Sequence, residues 1–300
     1  MKNFPIAVVA CNRPEYLKQC LESLKCQVEK RQVFLYIDHP NDESCSKNFQ
    51  LLQKEYAESV IPGIEVILRN RNYGVGNNMI GVRCDLFEKH KFDSAHIIED
   101  DVILTPYALD TTEHLMHWAE QRFSNVGVTQ VWNRRVWDNS ELIKLGNAVE
   151  FTQSNWICYL MRRWCWEKIA PTMKIYQRSF LTGLQKYRDR DHISIDRWLK
   201  YMKDYRLDLK SNEYPENKEM LAKQHKCFVT SQDSATIYGL YINRIARLTT
   251  VIPRVKYIGE VGEHCNKHVF NLNKFGEIAA FDDGKPLTKF YPLDVPEVQE

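Results

Sequence analysis

Residues 94–102 read SAHIIEDDV, an apolar run followed at once by the carboxylates Glu99, Asp100 and Asp101. Residues 94–98 have the composition of a buried β-strand, so the acidic side chains come where a strand ends. Adjacent carboxylates repel one another unless a cation or water takes up their charge, and a hard divalent cation is the partner such oxygens favour. An acidic turn that opens the next helix explains the same residues, because Asp and Glu are favoured near helix N-termini.

The segments on the N-terminal side of this stretch alternate between two patterns. Strands are predicted at residues 5–10, 32–37 and 64–68, and helices at about 15–26, 42–57 and 74–89. Strands separated by helices of about a dozen residues form right-handed βαβ units in a parallel sheet, which binds ligands at the carboxyl ends of its strands. We therefore expect an α/β fold, with a parallel sheet flanked by helices.

The segments on the C-terminal side are less regular. A helix is predicted at about residues 107–121, a strand at 126–131 and an amphipathic helix at about 194–205. Among the tryptophans from 132 to 166 we expect most to lie in the core and Trp132 to border a sugar-binding cleft, because sugars stack on flat apolar faces. The stretch after residue 273 is rich in Pro, Gly and Asp and is expected to lie on the surface.

The composition limits the partners. The chain has 300 residues, 44% apolar and 27% charged, with 41 Lys and Arg against 39 Asp and Glu. A near-neutral balance offers no large electrostatic attraction to a nucleic acid, so we expect none as a partner. The nine cysteines form no CxxC pair, which is typical of reduced thiols. No signal peptide and no apolar run of 18 residues is visible, so we expect a cytoplasmic protein without a transmembrane segment, a peripheral membrane contact remaining open.

Two polar residues follow the first two predicted strands. Arg13, in CNRP, offers a planar fork of donors for a diphosphate, and Asp38 follows the second strand, where it could accept a hydrogen bond from a base or ribose. A surface arginine and a turn-forming aspartate are the plain alternatives. The sequence has neither GxGxxG nor GxxxxGK[ST], which disfavours a dinucleotide-binding Rossmann enzyme and a P-loop NTPase.

A third polar segment follows the third strand. Residues 70–78 read NRNYGVGNN, and Asn72, Gly74 and Asn78 combine paired amide donors and acceptors with a backbone that allows close approach. That pattern suits a contact with a sugar or a nucleotide, although a turn with a helix cap explains it almost as well.

Taken in order, these segments resemble a known family. PIAVVACNRPEYLKQCLESL, the strand ending in Asp38, NRNYGVGNN and HIIEDDV resemble the GT-A type of nucleotide-sugar-dependent glycosyltransferases, and most closely N-acetylglucosaminyltransferase I and its bacterial relatives. In that family, VLVIACDR resembles residues 6–13, EDDL with a following P resembles 99–102 with Pro106, and VSAWND resembles 128–133. A DDW segment resembles 196–198, and a segment of the form RPEISRT.TFG..G resembles 252–262. The similarity spans about residues 5–270 and is patchy in the middle. It implies a GT-A-like α/β fold, with a Rossmann-type nucleotide-binding sheet flanked by helices and an acceptor-side subdomain.

The resemblance implies roles for individual residues. Asp101 would bind Mn²⁺ or Mg²⁺, and Glu99 and Asp100 would face the sugar, the ribose or the water shell of the metal. Arg13 and Asp38 would hold the nucleoside of a UDP-linked donor, beside the loop that contains Asn72, Gly74 and Asn78.

The catalytic base implied by the resemblance is Asp196. This chain has Ile195 where the family has a second acidic residue, and it carries an inserted stretch at 174–191, so Asp191 and Asp189 remain rivals. The segment 259–265 resembles a mobile loop that closes over the donor, which makes His264 a candidate contact of the metal or diphosphate. A lone histidine usually has neither role.

These observations predict a metal-dependent inverting glycosyltransferase that acts on a hydroxyl of a glycan or glycolipid acceptor. Residues 1–132 would form the nucleotide-sugar-binding half, 133–272 the acceptor-binding and catalytic half of the same unit, and 273–300 a C-terminal extension. The alternatives are a sugar nucleotidyltransferase and a non-catalytic glycan-binding scaffold with the same fold. The sequence does not identify the donor sugar, the acceptor or the oligomeric state.

Overall fold

The structure, a computed structural model, describes residues 4–40, 46–152, 156–181, 190–206, 230–262 and 265–293. Within these ranges the chain forms a mixed sheet of nine strands in the order β11-β7-β9-β6-β8-β4-β1-β2-β3, and a separate pair, β5 and β10. The strands are β1 Ile6–Ala10, β2 Val33–Ile37, β3 Glu65–Leu68, β4 Ser94–Glu99, β5 Val102–Leu104, β6 Val126–Gln130, β7 Ala148–Phe151, β8 Cys158–Arg162, β9 Ala246–Thr250, β10 Val255–Tyr257 and β11 Tyr291–Pro292.

Helices connect and cover these strands. Their bounds are α1 Pro14–Leu24, α2 Ser46–Val60, α3 Gly74–Cys84, α4 Ala108–Glu120, α5 Asn139–Lys144, α6 Arg163–Phe180, α7 His192–Arg206, α8 Gln232–Ile242 and α9 Lys267–Leu272. A short π-helical turn, Asp85–Lys89, extends α3, and a 3₁₀ turn, Lys25–Gln27, extends α1. None of the helices in the described ranges has the length and apolar character needed to cross a bilayer.

The predicted α/β fold class is confirmed. β1 lies between β2 and β4 and is parallel to both, and β3 is parallel to β2. Strand β8 is antiparallel to β4 and to β6, and β6 is parallel to β9. β1, β2, β3, β4, β6 and β9 therefore all run in one direction, and their carboxyl ends share one edge of the sheet.

The core is divided between the two faces of this sheet. Alternate residues of β1 point to opposite sides: Ile6 and Val8 pack with α1 and α2, and Ala7 and Val9 pack on the other face with α3, α6 and α8. The apolar positions of α1 at Leu17, Cys20, Leu21 and Leu24 are all buried, as their spacing on one helical face predicts. Helices on both faces explain why these strands read as continuous apolar runs.

One residue and one segment pack differently from what the sequence predicts. The prediction that Trp132 borders the cleft is wrong, because its ring is fully buried against Tyr257 and Phe275. The segment after residue 273 also contributes Phe275 and Ile278 to the core, and its strand β11 pairs with β7. Apolar residues spaced among Pro, Gly and Asp give too weak a periodic signal to predict such packing. The proposed boundaries at 132 and 272 stay a prediction.

Candidate functional site

The strand ends bring the predicted polar residues to one edge. Backbone pairing continues past β1, because the N–H of Asp38 donates to the carbonyl of Ala10 (2.8 Å) and the N–H of Asp100 donates to the carbonyl of Val9 (3.1 Å). Asp38 and Asp100 therefore flank the chain as it leaves β1 toward Arg13. A parallel arrangement of β2, β1 and β4 enforces this meeting, since their carboxyl ends must lie side by side.

Two members of the acidic triplet, Asp100 and Asp101, bind Arg13. Nη1 of Arg13 lies 2.7 Å from Oδ2 of Asp101, and Nη2 donates to Oδ1 of Asp100. The two aspartates are only 3% and 1% exposed. One guanidinium fork thus spans two buried carboxylates, and although burial works against its own charge, these carboxylates raise the pKa of Arg13. The family resemblance implies that Arg13 holds the nucleoside. In this structure both ends of its guanidinium contact the acidic residues, and the nucleoside role stays a prediction.

Burial and the negative charges of neighbouring carboxylates raise the pKa values of Glu99 and Asp100. Burial raises the pKa of Asp100 to about 7, against the opposing effect of Arg13. The pKa of Glu99 is raised well above its ordinary value, first by burial and then by the negative charges of Asp101 and Asp233. A single arginine does not fully neutralise the three acidic residues. A bound cation would further reduce the net negative charge of the cluster.

The carboxylates retain capacity for a cation. Oδ2 of Asp100 and Oδ1 of Asp101 are buried and have no hydrogen-bond partner within the described residues. Oxygen donors of this kind fit Mg²⁺ or Mn²⁺, which proteins often hold through one or two carboxylates with the remaining ligands from water and substrate phosphates. No group of three or more His, Cys, Asp and Glu side chains suited to a metal occurs in the described part of the chain, so a bound ion would need such outside ligands.

A strap, residues 258–262, covers the triplet. Antiparallel pairing of β5 with β10 positions it, and the N–H of Ile258 donates to the carbonyl of Asp101 (2.9 Å). Nη1 of Arg13 donates to the carbonyl of Val261 (3.3 Å), whose N–H donates to the hydroxyl of Tyr16 (3.2 Å). A Cβ built on Gly259 would stand 2.5 Å from Oδ2 of Asp101, so glycine is required for this close approach.

The loop after β3 is fastened to Asp38. Oδ1 of this aspartate accepts hydrogen bonds from the N–H of Tyr73 (2.9 Å) and of His39 (3.0 Å), while burial raises the pKa of the carboxyl. Nδ2 of Asn72 donates to the carbonyl of His39 (2.5 Å). Asp38 and Asn72 therefore join the loop after β2 to the loop after β3. If either side chain contacts a nucleoside, it does so in addition to this structural role.

The other two residues predicted in this loop have backbone and packing roles. Gly74 has φ +70° at the start of α3, a conformation that L side chains rarely adopt. Asn78 is buried, and its Oδ1 accepts a hydrogen bond from Nε of Arg69 (3.0 Å), whose guanidinium lies over the rings of Tyr36 and Tyr73. Their assignment to the nucleotide stays a prediction.

A further carboxylate, Asp233, which the sequence analysis did not single out, is close enough to Glu99 for its negative charge to raise the pKa of that group. Asp233 stands in the first turn of α8, a helix whose N-cap, Ser231, accepts from the N–H of Ser234. Since α8 leads into β9, its N-terminus points toward the carboxyl edge of the sheet. Burial raises the pKa of Asp233 to about 6. The cap pattern in SQDS predicts a helix start, but nothing local in the sequence indicates that this helix begins next to Glu99.

The charges of two buried arginines, Arg83 and Arg247, act on this carboxylate. Arg83 donates to the hydroxyl of Tyr159 (2.8 Å) and to Oγ1 of Thr236 (3.0 Å), and Arg247 lies 4.0 Å from the ring centre of Trp156. The positive charges of both arginines oppose the rise in the pKa of Asp233. They offset part of the effect of burial, and the resulting pKa of about 6 lies close to neutral pH, as it often does for groups in functional sites.

The base candidates from the sequence lie elsewhere. Asp196 is on a partly exposed side of α7 and forms an ion pair with Lys200 (2.6 Å), and no hydrogen bond or ion pair joins it to the triplet within the described ranges. Asp191 caps α7 through the N–H of Ser194 (2.9 Å). Asp189 and His264 lie outside the described residues. All four roles stay predictions.

Comparison with known proteins adds little to this geometry. No family model matches the chain, and no curated protein matches it. Among solved structures, glucosyl-3-phosphoglycerate synthase from Mycobacterium tuberculosis, in complex with Mn²⁺, UDP and glucosyl-3-phosphoglycerate, is similar with a TM-score of 0.34 and 13% identity over 55% of this chain. The similarity covers 59% of the synthase chain. At this level it carries no inference about what this chain binds, and the chemistry of the site rests on its own residues.

Proposed function

We propose that this chain is a metal-dependent inverting glycosyltransferase that uses a UDP-sugar and a hydroxyl of a glycan or glycolipid acceptor. The observation that supports it is a buried pair of carboxylates, Asp100 and Asp101, at the carboxyl edge of the sheet, with a further carboxylate, Asp233, near the same edge. One oxygen of each member of the pair has no hydrogen-bond partner within the described residues, and burial raises the pKa of Asp233 to about 6. Inverting transfer requires both a site that neutralises a departing diphosphate and a base for the acceptor hydroxyl.

Each part of the donor has a place in this proposal. Asp100 and Asp101 would hold Mn²⁺ or Mg²⁺, which supplies Lewis-acid stabilisation of the leaving diphosphate. The edge formed by Asp38 and the loop after β3 takes the nucleoside. Arg13, once it is free of the carboxylates, has the planar fork that suits diphosphate oxygens.

Asp233 is the proposed base. The acceptor oxygen attacks the anomeric carbon while its proton passes to the Asp233 carboxylate, and the bond from that carbon to the diphosphate oxygen breaks, so that UDP departs with the bonding electron pair. Base catalysis works best when the pKa of the group lies near the working pH, which favours Asp233. Asp196, implied by the resemblance, is the alternative, and the Asp233→Asn and Asp196→Asn variants distinguish them.

The first test is a thermal-shift panel of nucleotides and UDP-sugars, each with and without Mn²⁺, followed by an assay of UDP release with candidate acceptors. A midpoint that rises with a UDP-sugar only when Mn²⁺ is present supports the donor site, because a ligand that binds the folded state stabilises it. Formation of a UDP-sugar and pyrophosphate from UTP and a sugar phosphate would instead indicate a nucleotidyltransferase. Binding without UDP release, with or without an acceptor, would indicate a scaffold. No response to any nucleotide would refute the proposal.

A further inference from the structure

The contacts of Arg13 suggest a role that goes beyond holding a donor. Its two Nη atoms are directed at different carboxylates, one at Asp100 and one at Asp101, within a single planar fork. Both carboxylates are buried, so the free protein would otherwise carry two adjacent negative charges away from water, which is costly. Arg13 is therefore the resident counter-ion of the pair.

Arg13 compensates this pair only in part. It brings one positive charge to two aspartates that also face Glu99, and one oxygen of each aspartate keeps no hydrogen-bond partner within the described residues. A divalent cation brings twice the charge in a far smaller volume, and carboxylate oxygens are its preferred ligands. The guanidinium, however, repels any cation that approaches while it remains on the pair.

The strap holds Arg13 in this position from the other side. The carbonyl of Val261 accepts from Nη1, the atom that also reaches Asp101, and a Cβ built on Gly262 would lie 3.2 Å from Nη1. The guanidinium is therefore placed between the carboxylates and the strap, and its side chain remains 26% exposed on the open side. That opening gives it a route toward a ligand without unfolding of the site.

We infer that Arg13 is a built-in competitor of the divalent cation, which leaves Asp100 and Asp101 only when a nucleoside diphosphate arrives to accept its guanidinium. The inference rests on the proposed function and deepens it, by making metal binding and donor binding mutually dependent. Metal alone must displace Arg13 without giving it a new partner. Metal together with a diphosphate gives the two carboxylates one shared cation and gives the guanidinium an anion, so the two ligands favour each other's binding.

The test measures Mn²⁺ alone, and then UDP with Mn²⁺, by calorimetry and thermal denaturation on the full chain. Arg13→Gln is expected to bind Mn²⁺ alone at least about tenfold more tightly than the wild type, because the competitor is gone. The same variant should bind UDP in the presence of Mn²⁺ more weakly than the wild type. Opposite signs for the two ligands are the signature of the competition.

Three further variants separate this role from plain support of the fold. Arg13→Lys keeps the positive charge and should bind Mn²⁺ alone nearly as weakly as the wild type. Tyr16→Phe removes the hydroxyl that accepts a hydrogen bond from the N–H of Val261 in the strap, and it leaves both carboxylate contacts of Arg13 in place. This variant should also behave as the wild type toward Mn²⁺. Adding Asp101→Asn to Arg13→Gln should abolish the gained affinity, which locates the metal.

If Arg13→Gln folds only when Mn²⁺ is present, removal of Mn²⁺ with a chelator should unfold it. That result would also support the inference, because the cation would then be replacing the lost positive charge of Arg13. Mn²⁺ affinity that is equal or weaker in Arg13→Gln, absence of binding, a gain that survives Asp101→Asn, or failure to fold even with Mn²⁺ would overturn the inference. Failure of the proposed function is a separate result: it would appear as no Mn²⁺-dependent binding of UDP by the wild type, whatever Arg13→Gln does with the metal alone.

Discussion

Replacing Asp233 by Asn is expected to stabilise the protein at pH 8 while removing transfer. Burial raises the pKa of this carboxyl from 3.8 to about 6, so the folded state disfavours its ionised form. The neutral amide avoids that cost and keeps an oxygen that can accept from Nε2 of Gln232, as Oδ1 of Asp233 does now (2.9 Å). An ionisable residue that destabilises the folded protein is typical of an active site, where stability is lost in exchange for activity.

The magnitude follows from the shift in the pKa. One pKa unit is worth 1.36 kcal/mol, so a rise of about two units means that ionised Asp233 costs the folded state about 3 kcal/mol at pH 8. For a chain of this length, that free energy corresponds to a rise of about 5 °C in the midpoint of thermal unfolding. The sign depends on pH. A raised pKa means that the folded state holds the proton more tightly, so wild-type stability is lost as pH rises from about 4 through about 6, and the advantage of the Asn variant appears over the same window.

The assay is thermal or denaturant unfolding of both proteins from pH 4 to pH 8, with UDP release measured in parallel. Asp191→Asn is the matched control, because it makes the same change at the start of another helix. Its hydrogen bonds from Ser194 lower the pKa of Asp191, so this variant should be slightly less stable than the wild type at pH 8. In the wild type, kcat/KM should fall below about pH 6 as Asp233 takes up a proton.

Two results would refute the reasoning. One is an Asp233→Asn protein that is less stable than the wild type at pH 8 and whose stability changes with pH as that of the wild type does. The ionised carboxylate of Asp233 would then not destabilise the folded state. The other is retained UDP release by this variant, which would remove Asp233 as the base whatever its effect on stability.

The remaining predictions concern the donor site and its cover. Asp101→Asn should lower the affinity for UDP in the presence of Mn²⁺ by at least about a hundredfold, because a bound metal contributes several kcal/mol, and calorimetry with and without Mn²⁺ checks this. Asp196→Asn should retain both donor binding and UDP release, and loss of release with intact binding would instead assign the base to Asp196. Gly259→Ala should destabilise the fold by about 1–3 kcal/mol, because the added methyl meets Oδ2 of Asp101 at 2.5 Å, and an unchanged unfolding midpoint would show that the strap is not held as described.

Local patterns were sufficient for the first third of the chain. The strands predicted at 5–10, 32–37 and 64–68 form as β1, β2 and β3 with bounds shifted by about a residue, because their apolar runs are short, β-branched and bounded by turn residues. Outside the first third, the helix predicted at 194–205 also forms, as α7, with Ile195 and Leu199 buried. The predicted helix at 74–89 ends its α-helical part at Cys84, a change of helix type that periodicity cannot resolve.

The sequence by itself determined the class of fold and the presence of a carboxylate cluster at a strand end, because strand–helix alternation and three adjacent acids are local patterns. Tertiary structure alone decided which partners these acids have. The fork of Arg13 spans 87 and 88 residues to reach Asp100 and Asp101, and Asp233 comes to Glu99 from the far half of the chain. Such pairings depend on strand order and on the direction of α8, and they arise from packing of distant segments around one sheet, which no local spacing encodes.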